Sequence, residues 1–460
     1  MSRATPLSLP GAAAHERGFR LPASLLAALS LTIQGACHGG GAPSAASLPV
    51  ATPDSARLAA DVGYLASDAL EGRRTGTAGN DSARAFIARR FAALRLRAVV
   101  SPPTCTVRCT PGFVQPFVAR SAVAQRAGLP PEMPTANVVA MIEGRDPALR
   151  RQVIVLGAHF DHLGRSGFNA LDPEAGDAIR NGADDNASGV ATVLELARLL
   201  AARPTARSVA IVAFSGEELG LLGSAWFVDH APFPLDSVQA MLNFDMVGRL
   251  REDKLMVYGT ATAKELAAIV NDANVAPALT LIAIGDGAGP SDHASFYLRN
   301  LPVLHFFTDL HDDYHRATDD AARINAAGMA RVAAFAERIV RTLGNRPSRL
   351  TFVRAPATAT QTGMPTRSGP QPYLGSIPDM AATDVRGVRL TGVRPGSPAE
   401  AAGLRAGDVI ISIGGKSVTD LYTYTDALYS HAPREQVELV VLRDTARLTV
   451  TVTLTRRAGG

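Results

Sequence analysis

Apolar residues recur at three- and four-residue spacing from Thr52 to Leu96 (Leu58, Val62, Leu65, then Ala85, Phe86, Ala88, Phe91), which predicts two helices. Between them lies a polar, glycine-rich break, Glu71-Gly72-Arg73-Arg74-Thr75-Gly76-Thr77, read as a loop. Farther on, unbroken apolar runs alternate with helical patterns. Strands are predicted over 153–157, 208–214, 240–244, 255–258 and 302–307, and helices over 189–200, 221–228, 263–270, 291–298 and 325–343. The strand runs do not alternate in polarity, as expected for a sheet buried on both sides. The predicted fold class is therefore α/β, with a largely parallel central sheet and helices on both faces.

The pattern changes after Arg349. A Thr/Pro/Gly/Ser-rich stretch over 350–370 reads as a linker, and 371–460 reads as short strands with one helix, a small β-rich domain. The main domain then spans 54–349. Ahead of it, Arg17 and Arg20 precede an apolar stretch from Leu21 to Ile33, followed by Gly35, Ala36, Cys37 and a Gly/Ala/Ser/Pro-rich tether to about residue 53. That order is the order of a secretory signal, so the chain is expected to be exported. Gly35-Ala36-Cys37 also resembles a lipoprotein processing site, with Gln34 departing from the pattern. Two outcomes stay open: a lipid on Cys37 anchoring the protein to the envelope, or cleavage and release.

Composition narrows the function class. With 47% hydrophobic and 19% charged residues the chain is of globular type. Its formal charge of +4 is spread without a dense basic block, with Lys only at 254, 264 and 416, so no nucleic-acid partner is expected. Once Cys37 is set aside, Cys105 and Cys109 remain, four apart between Pro-rich segments. In an oxidising compartment a local disulfide is expected there, with a Cys-x3-Cys zinc site as the alternative.

The chemistry-bearing residues cluster where the predicted strands end. His159, Asp161 and His162 follow 153–157; Asp184 and Asp185 precede a helix; Glu217 and Glu218 follow 208–214; Asp245 follows 240–244; His315 follows 302–307. Singly, each has an ordinary structural explanation, such as a carboxylate capping a helix. Jointly, they fall at the carboxyl ends of strands in an open α/β sheet, where ligand crevices form. Two imidazoles with several carboxylates are the donor set that a pair of zinc ions needs, one carboxylate being shared and one left free as a base.

Six ordered motifs carry a family resemblance: Gly-Ala-His159-Phe-Asp161-His, Asn-Gly-Ala-Asp184-Asp185-Asn-Ala-Ser-Gly, Phe-Ser-Gly-Glu217-Glu218-Leu-Gly, Asn-Phe-Asp245-Met-Val-Gly, Ser291-Asp292-His293 and Tyr314-His315-Arg-Ala-Thr-Asp319. Over about residues 55–345 the chain resembles the co-catalytic zinc aminopeptidases of metallopeptidase family 28, and the segment from Leu70 to Gly79 resembles that family's entry motif. The resemblance implies two zinc ions per chain, one held by His159 and Asp245, the other by Glu218 and His315, with Asp185 bridging them. It implies Glu217 as general base and Asp161 as the carboxylate that orients His159. Asp184, Asn186 and His162 stay outside the metal shell. Arg316 departs from the pattern, which has Thr there. The implied substrates are peptides with a free N-terminus; a carboxypeptidase or a glutaminyl cyclase of the same fold, and a non-catalytic binding protein, are the alternatives.

Near the C-terminus, Tyr373-Leu374-Gly375-Ser376-Ile377-Pro, Val393-Arg-Pro-Gly-Ser-Pro-Ala-Glu-Ala-Ala-Gly-Leu and Ser412-Ile-Gly-Gly-Lys resemble a bacterial PDZ domain. By that resemblance the 373–377 loop presents backbone N–H groups to a peptide carboxylate, the following strand pairs with the peptide, and a helix over 420–430 walls the groove.

Overall fold

The computed structural model describes residues 51–456, except 102–109, 122–123, 126–127, 166–167, 356–371, 379–384, 395, 419–422, 425–426, 429 and 445. Cys37, Cys105, Cys109, the leader and most of the linker lie outside the described residues.

The two N-terminal helices form as patterned. Helix α1 (Ser55–Leu65) starts where the Asp54 carboxylate accepts the amides of Ala56 and Arg57, and it buries Leu58, Val62 and Leu65. Helix α2 (Ala78–Ala93) is capped by Thr77, whose hydroxyl accepts the Asn80 amide. The break between them takes left-handed backbone at Glu71, Gly72 and Arg73. At Gly72 a Cβ would lie 2.3 Å from the Arg180 carbonyl oxygen, so only glycine fits this approach.

A nine-stranded sheet forms the centre of the main domain. Its middle is parallel: β5 (Ser208–Phe214), β4 (Val153–His159), β6 (Val238–Phe244) and β9 (Val303–Phe307) lie side by side in that order. Antiparallel pairings flank this core. On one side β3 (Met133–Ile142) runs against β5 and carries β1 (Arg97–Ala98) and β2 (Val114–Ala119); on the other, β7 (Lys254–Tyr258) opposes β9 and carries β8 (Thr280–Ile284) in parallel. The expected strands are thus present, and β1, β2, β3 and β8 join them.

Successive strand residues feed opposite cores. Ile154, Leu156 and Ala158 pack under α1, α2, α3 (Gly189–Ala202), α5 (Leu266–Ala273) and α7 (Ala326–Asn345), whereas Val153 and Val155 face α4 (Leu222–Asp229) and α6 (His293–Tyr297). Both strand faces are therefore apolar, which explains the unbroken hydrophobic runs. Packing continues past the boundary read from composition at residue 349: Phe352 lies against Tyr297, Val353 donates to the Thr262 carbonyl, and Ala355 is buried.

The C-terminal domain has its own core, centred on Leu374, Leu390, Ile410, Ile413, Leu439 and Val452. Its antiparallel sheet runs β11 (Ser376–Pro378), β12 (Val388–Val393), β13 (Val409–Ile413), β15 (Gln436–Arg443), β16 (Ala446–Thr453), with β14 (Lys416–Ser417) on β13; β10 (Pro372–Tyr373) pairs β17 (Thr455–Arg456). Within 420–430 the described residues are 423–424 and 427–428, as helix, and Ser430, as a turn.

Candidate metal centre and peptide groove

Each of the parallel strands delivers its polar residue where the ladder stops. His159 is the last residue of β4, Glu217 and Glu218 follow β5, and Asp245 is the first residue after β6. His315 arrives on the loop after β9 with left-handed backbone, φ 54°. Asp185 sits in a widened turn, Ala183–Ser188, whose orphaned amides are held by one carboxylate: Asp184 N–H and Asp185 N–H donate to Asp319 Oδ2 at 2.9 and 3.1 Å. Asn186 ties this turn to β6, donating to the Phe244 carbonyl at 2.9 Å and accepting the Met246 amide at 3.2 Å.

These connections bring the sequence-predicted residues together. His159 Nε2 lies 3.3 Å from Asp185 Oδ1 and 3.4 Å from Asp245 Oδ1; His315 Nε2 lies 3.1 Å from Asp185 Oδ2 and 3.3 Å from Glu218 Oε2. The two oxygens of Asp185 thus face different imidazoles. Glu217 Oε2 stands off, 4.0 Å from His159 Nε2. His159, Asp185 and Asp245 form one group able to hold a cation, and His162, Asp185 and Glu218 another. Mixed imidazole and carboxylate donors at this spacing fit zinc.

One expected role changes. His159 Nδ1 lies 3.1 Å from the main-chain carbonyl oxygen of Asp161 and 3.9 Å from its carboxylate, so the backbone, not the side chain, orients the ring. The chain turns immediately after β4, which folds that carbonyl back onto His159. The Asp161 carboxylate is directed elsewhere, accepting Thr75 Oγ1–H at 2.8 Å and the Glu217 amide at 3.1 Å. Asp184, kept outside the shell from sequence, accepts the Gly248 amide, accepts Ser188 Oγ–H and lies 3.2 Å from His311 Nε2. Ser291, noted only as part of a motif, donates to Asp245 Oδ2 at 2.7 Å.

The electrostatics of so many close carboxylates are strongly perturbed. Burial, reinforced by Glu218, Asp245 and Asp292, raises the Glu217 pKa well above the usual carboxylate range, against the pull of His159. For His315, burial opposes the charge, but Glu218 and Asp185 outweigh it and push the imidazole up to about 9. His159 is raised in the same way by Glu217 and Asp245. Asp185 is held well below its ordinary value by the three surrounding imidazoles, burial notwithstanding.

Arg73 supports the site from beneath without an ion pair among the described residues. Fully buried, it donates to the carbonyls of Phe160, Leu65, Asn181 and Gly182, fastening the loop after β4 to the approach of the Asp185 turn. In sequence an Arg pair in a Gly-rich break gives no sign of burial.

In the C-terminal domain, the Leu374 carbonyl accepts the Ala399 amide and the Gly375 carbonyl accepts the Arg394 amide. Across trans peptides the Gly375 and Ser376 N–H groups then point away from the directions of those two carbonyl bonds. Gly375 has φ 83°, and a Cβ there would meet Ser397 Cβ at 2.2 Å. Strand β11 pairs with β12 on one side, and Ser376 Oγ lies 2.6 Å from the Tyr424 hydroxyl. The guanidinium of Arg394, next to this loop, lies 3.8 Å from Asp286 of the main domain.

Comparison with known proteins follows the same division. Residues 137–340 match the model of peptidase family M28, and residues 367–454 match that of the PDZ domain. Aminopeptidase YwaD of Bacillus subtilis is 42% identical over 78 residues, 17% of this chain and 17% of that protein. A probable zinc metalloprotease of Pyricularia oryzae is 36% identical over 139 residues, covering 30% of this chain and 24% of the relative. The chain thus spans about a quarter or less of the length of these two curated relatives. Among solved structures, a leucine aminopeptidase precursor and a glutaminyl cyclase, both from Bacteroides thetaiotaomicron, superpose over 64% of this chain and 98% and 99% of theirs, each with TM-score 0.52 and 17% identity. At that identity the likeness shows the fold. Residues 137–340 are a peptidase family M28 domain, and residues 367–454 are a PDZ domain.

Proposed function

We propose that the protein is an exported, zinc-dependent aminopeptidase that removes N-terminal residues from peptides at a dinuclear centre, with a PDZ domain that takes peptide C-termini. The observation that carries this reading is the division of Asp185: one oxygen faces His159 with Asp245, the other faces His315 with Glu218, and Glu217 stands beside the first group without joining it. His159 and Asp245 would hold one zinc, His315 and Glu218 the other, and Asp185 both.

Bound zinc supplies Lewis acidity, which acidifies a water and polarises a carbonyl. Glu217, with its raised proton affinity, takes the proton of the attacking water and delivers it to the leaving amine. Asp161 fixes the main chain at Glu217, and Ser291 fixes Asp245. At the PDZ domain, the N–H groups of Gly375 and Ser376 would receive a carboxylate, and β11 would pair with the peptide in the manner of an added strand.

Export rests on the Arg17/Arg20 flank and the apolar stretch before Cys37. Intact mass of protein from the native host shows whether the chain starts at Cys37 and carries a lipid. For the reaction, zinc content is measured beside turnover of leucine amide, the N-acetylated amide and an N-terminal glutaminyl peptide. Cleavage of the free amide alone with two zinc ions supports the proposal. Cyclisation of the glutaminyl peptide, or one zinc, moves the reading to a cyclase.

A further inference from the structure

We propose that His162 is a positioning residue for Glu218: its Nδ1–H holds Glu218 Oε1, so that Oε2 is left directed at the second metal position. This rests on the dinuclear reading above and assigns a part to a histidine that lies outside the five donors named there.

The ring is buried, and Nδ1 lies 2.8 Å from Glu218 Oε1 and 3.7 Å from Asp185 Oδ2. A carboxylate oxygen only accepts, so at that distance Nδ1 carries the hydrogen and has no lone pair to give a metal. His315 has the opposite arrangement. Its Nδ1 donates to the Asn169 carbonyl at 2.8 Å, so Nε2, which faces Asp185 Oδ2 and Glu218 Oε2, is the nitrogen that would give its lone pair to a metal once its proton is displaced. The two oxygens of Glu218 are thereby distinguished, Oε1 by His162 and Oε2 by the metal position.

The fold clamps the His162 ring in this pose. Gly182, at φ 56°, comes so close that a Cβ would lie 2.4 Å from ring Cδ2 and 2.5 Å from Cγ. The Gly182 carbonyl is in turn fixed by Arg73 Nη2 at 3.0 Å, and the Phe160 carbonyl, two residues ahead of His162, by Arg73 Nε at 2.8 Å. Nε2 of His162 has no hydrogen-bond partner among the described residues. A buried ring nitrogen is left unmatched while Nδ1 keeps its contact, as expected if the Glu218 bond dictates the ring's orientation.

The test compares His162→Asn, whose amide nitrogen is the same number of bonds from Cα as Nδ1 and still donates, with His162→Phe, which fills the space without a donor. Zinc stoichiometry, the affinity of the weaker zinc by chelator competition, the cobalt(II) absorption spectrum and the Tm of the metal-free protein are measured. His162→Asn should keep two zinc ions and an unchanged cobalt spectrum, while His162→Phe should weaken one zinc by about 10- to 100-fold. Should His162→Phe not fold, His162→Leu takes its place. Loss of one zinc in His162→Asn would make His162 a ligand, and wild-type affinity in the folded Phe or Leu variant would leave it without a role; either overturns the proposal. A wild type holding fewer than two zinc ions fails the dinuclear reading itself, and this inference with it.

Discussion

Glu217→Gln and Glu218→Gln, one residue apart, are expected to fail in different ways. The amide at 217 keeps size and shape, and the main-chain bond from residue 217 to Asp161 at 3.1 Å is unaffected by the substitution. Glu217 Oε2 lies 4.0 Å from His159 Nε2, whereas the donors grouped with that ring lie at 3.3 and 3.4 Å, so His159, Asp185 and Asp245 remain to hold their zinc. What is lost is the proton acceptor. Removing a general base lowers turnover by roughly 10²- to 10⁴-fold. At 1.36 kcal/mol per tenfold, this raises the barrier by about 2.7 to 5.4 kcal/mol. Glu218→Gln instead removes an anionic donor 3.3 Å from His315 Nε2 and should shed or weaken one zinc. The assay is metal stoichiometry beside kcat and KM on leucine amide for both variants. Glu217→Gln that turns over like wild type, or that has lost zinc, refutes the assignment of base and ligand.

Asp185→Asn should lose both zinc ions together, since its two oxygens serve the two groups; elemental analysis of the purified variant showing one full equivalent retained would contradict a shared ligand. Zinc binding to the metal-free protein should release protons, because His315 is pushed up to about 9 and stays protonated below that pH until a metal displaces the proton. Affinity should therefore rise with pH up to about 9, and calorimetry at pH 7.5 in two buffers of different ionisation enthalpy that gives identical heats would refute this. Ending the chain after Ala355 should leave turnover of small amides nearly unchanged and alter only longer peptides, because every donor and the base precede that point. Collapse of small-substrate turnover in a folded truncation would make the Arg394 to Asp286 contact part of the working site.

The sequence by itself determined where the chemistry falls. His159, Glu218, Asp245 and His315 follow runs of residues that are apolar on both faces, and a strand buried on both sides ends where the first polar residues begin. Local composition likewise set the two N-terminal helices, through Asp54 and Thr77 as caps, and marked the C-terminal domain by its Gly-rich loops. Strand β3 was not read from its pattern, although it is buried over nine of its ten residues, because Pro134 and Asn137 interrupt the run. Asn137 is accommodated only by distant partners, donating to Gln115 and to the Gly223 carbonyl.

Only the tertiary structure decided which atom of each polar residue meets which partner. Asp161 stands two residues from His159, yet its carboxylate goes to Thr75 and Glu217, 86 and 56 positions away, and its carbonyl to the imidazole. His162 is adjacent to Asp161 and reaches Glu218, again 56 positions away. Arg73 is buried because four carbonyls from three separate segments converge on it. Spacing along the chain specifies the direction of a side chain within its own strand or helix. Hydrogen bonds that close between segments depend on how the sheet stacks its neighbours, and a turn of one residue at a strand end is enough to exchange a carboxylate for a carbonyl.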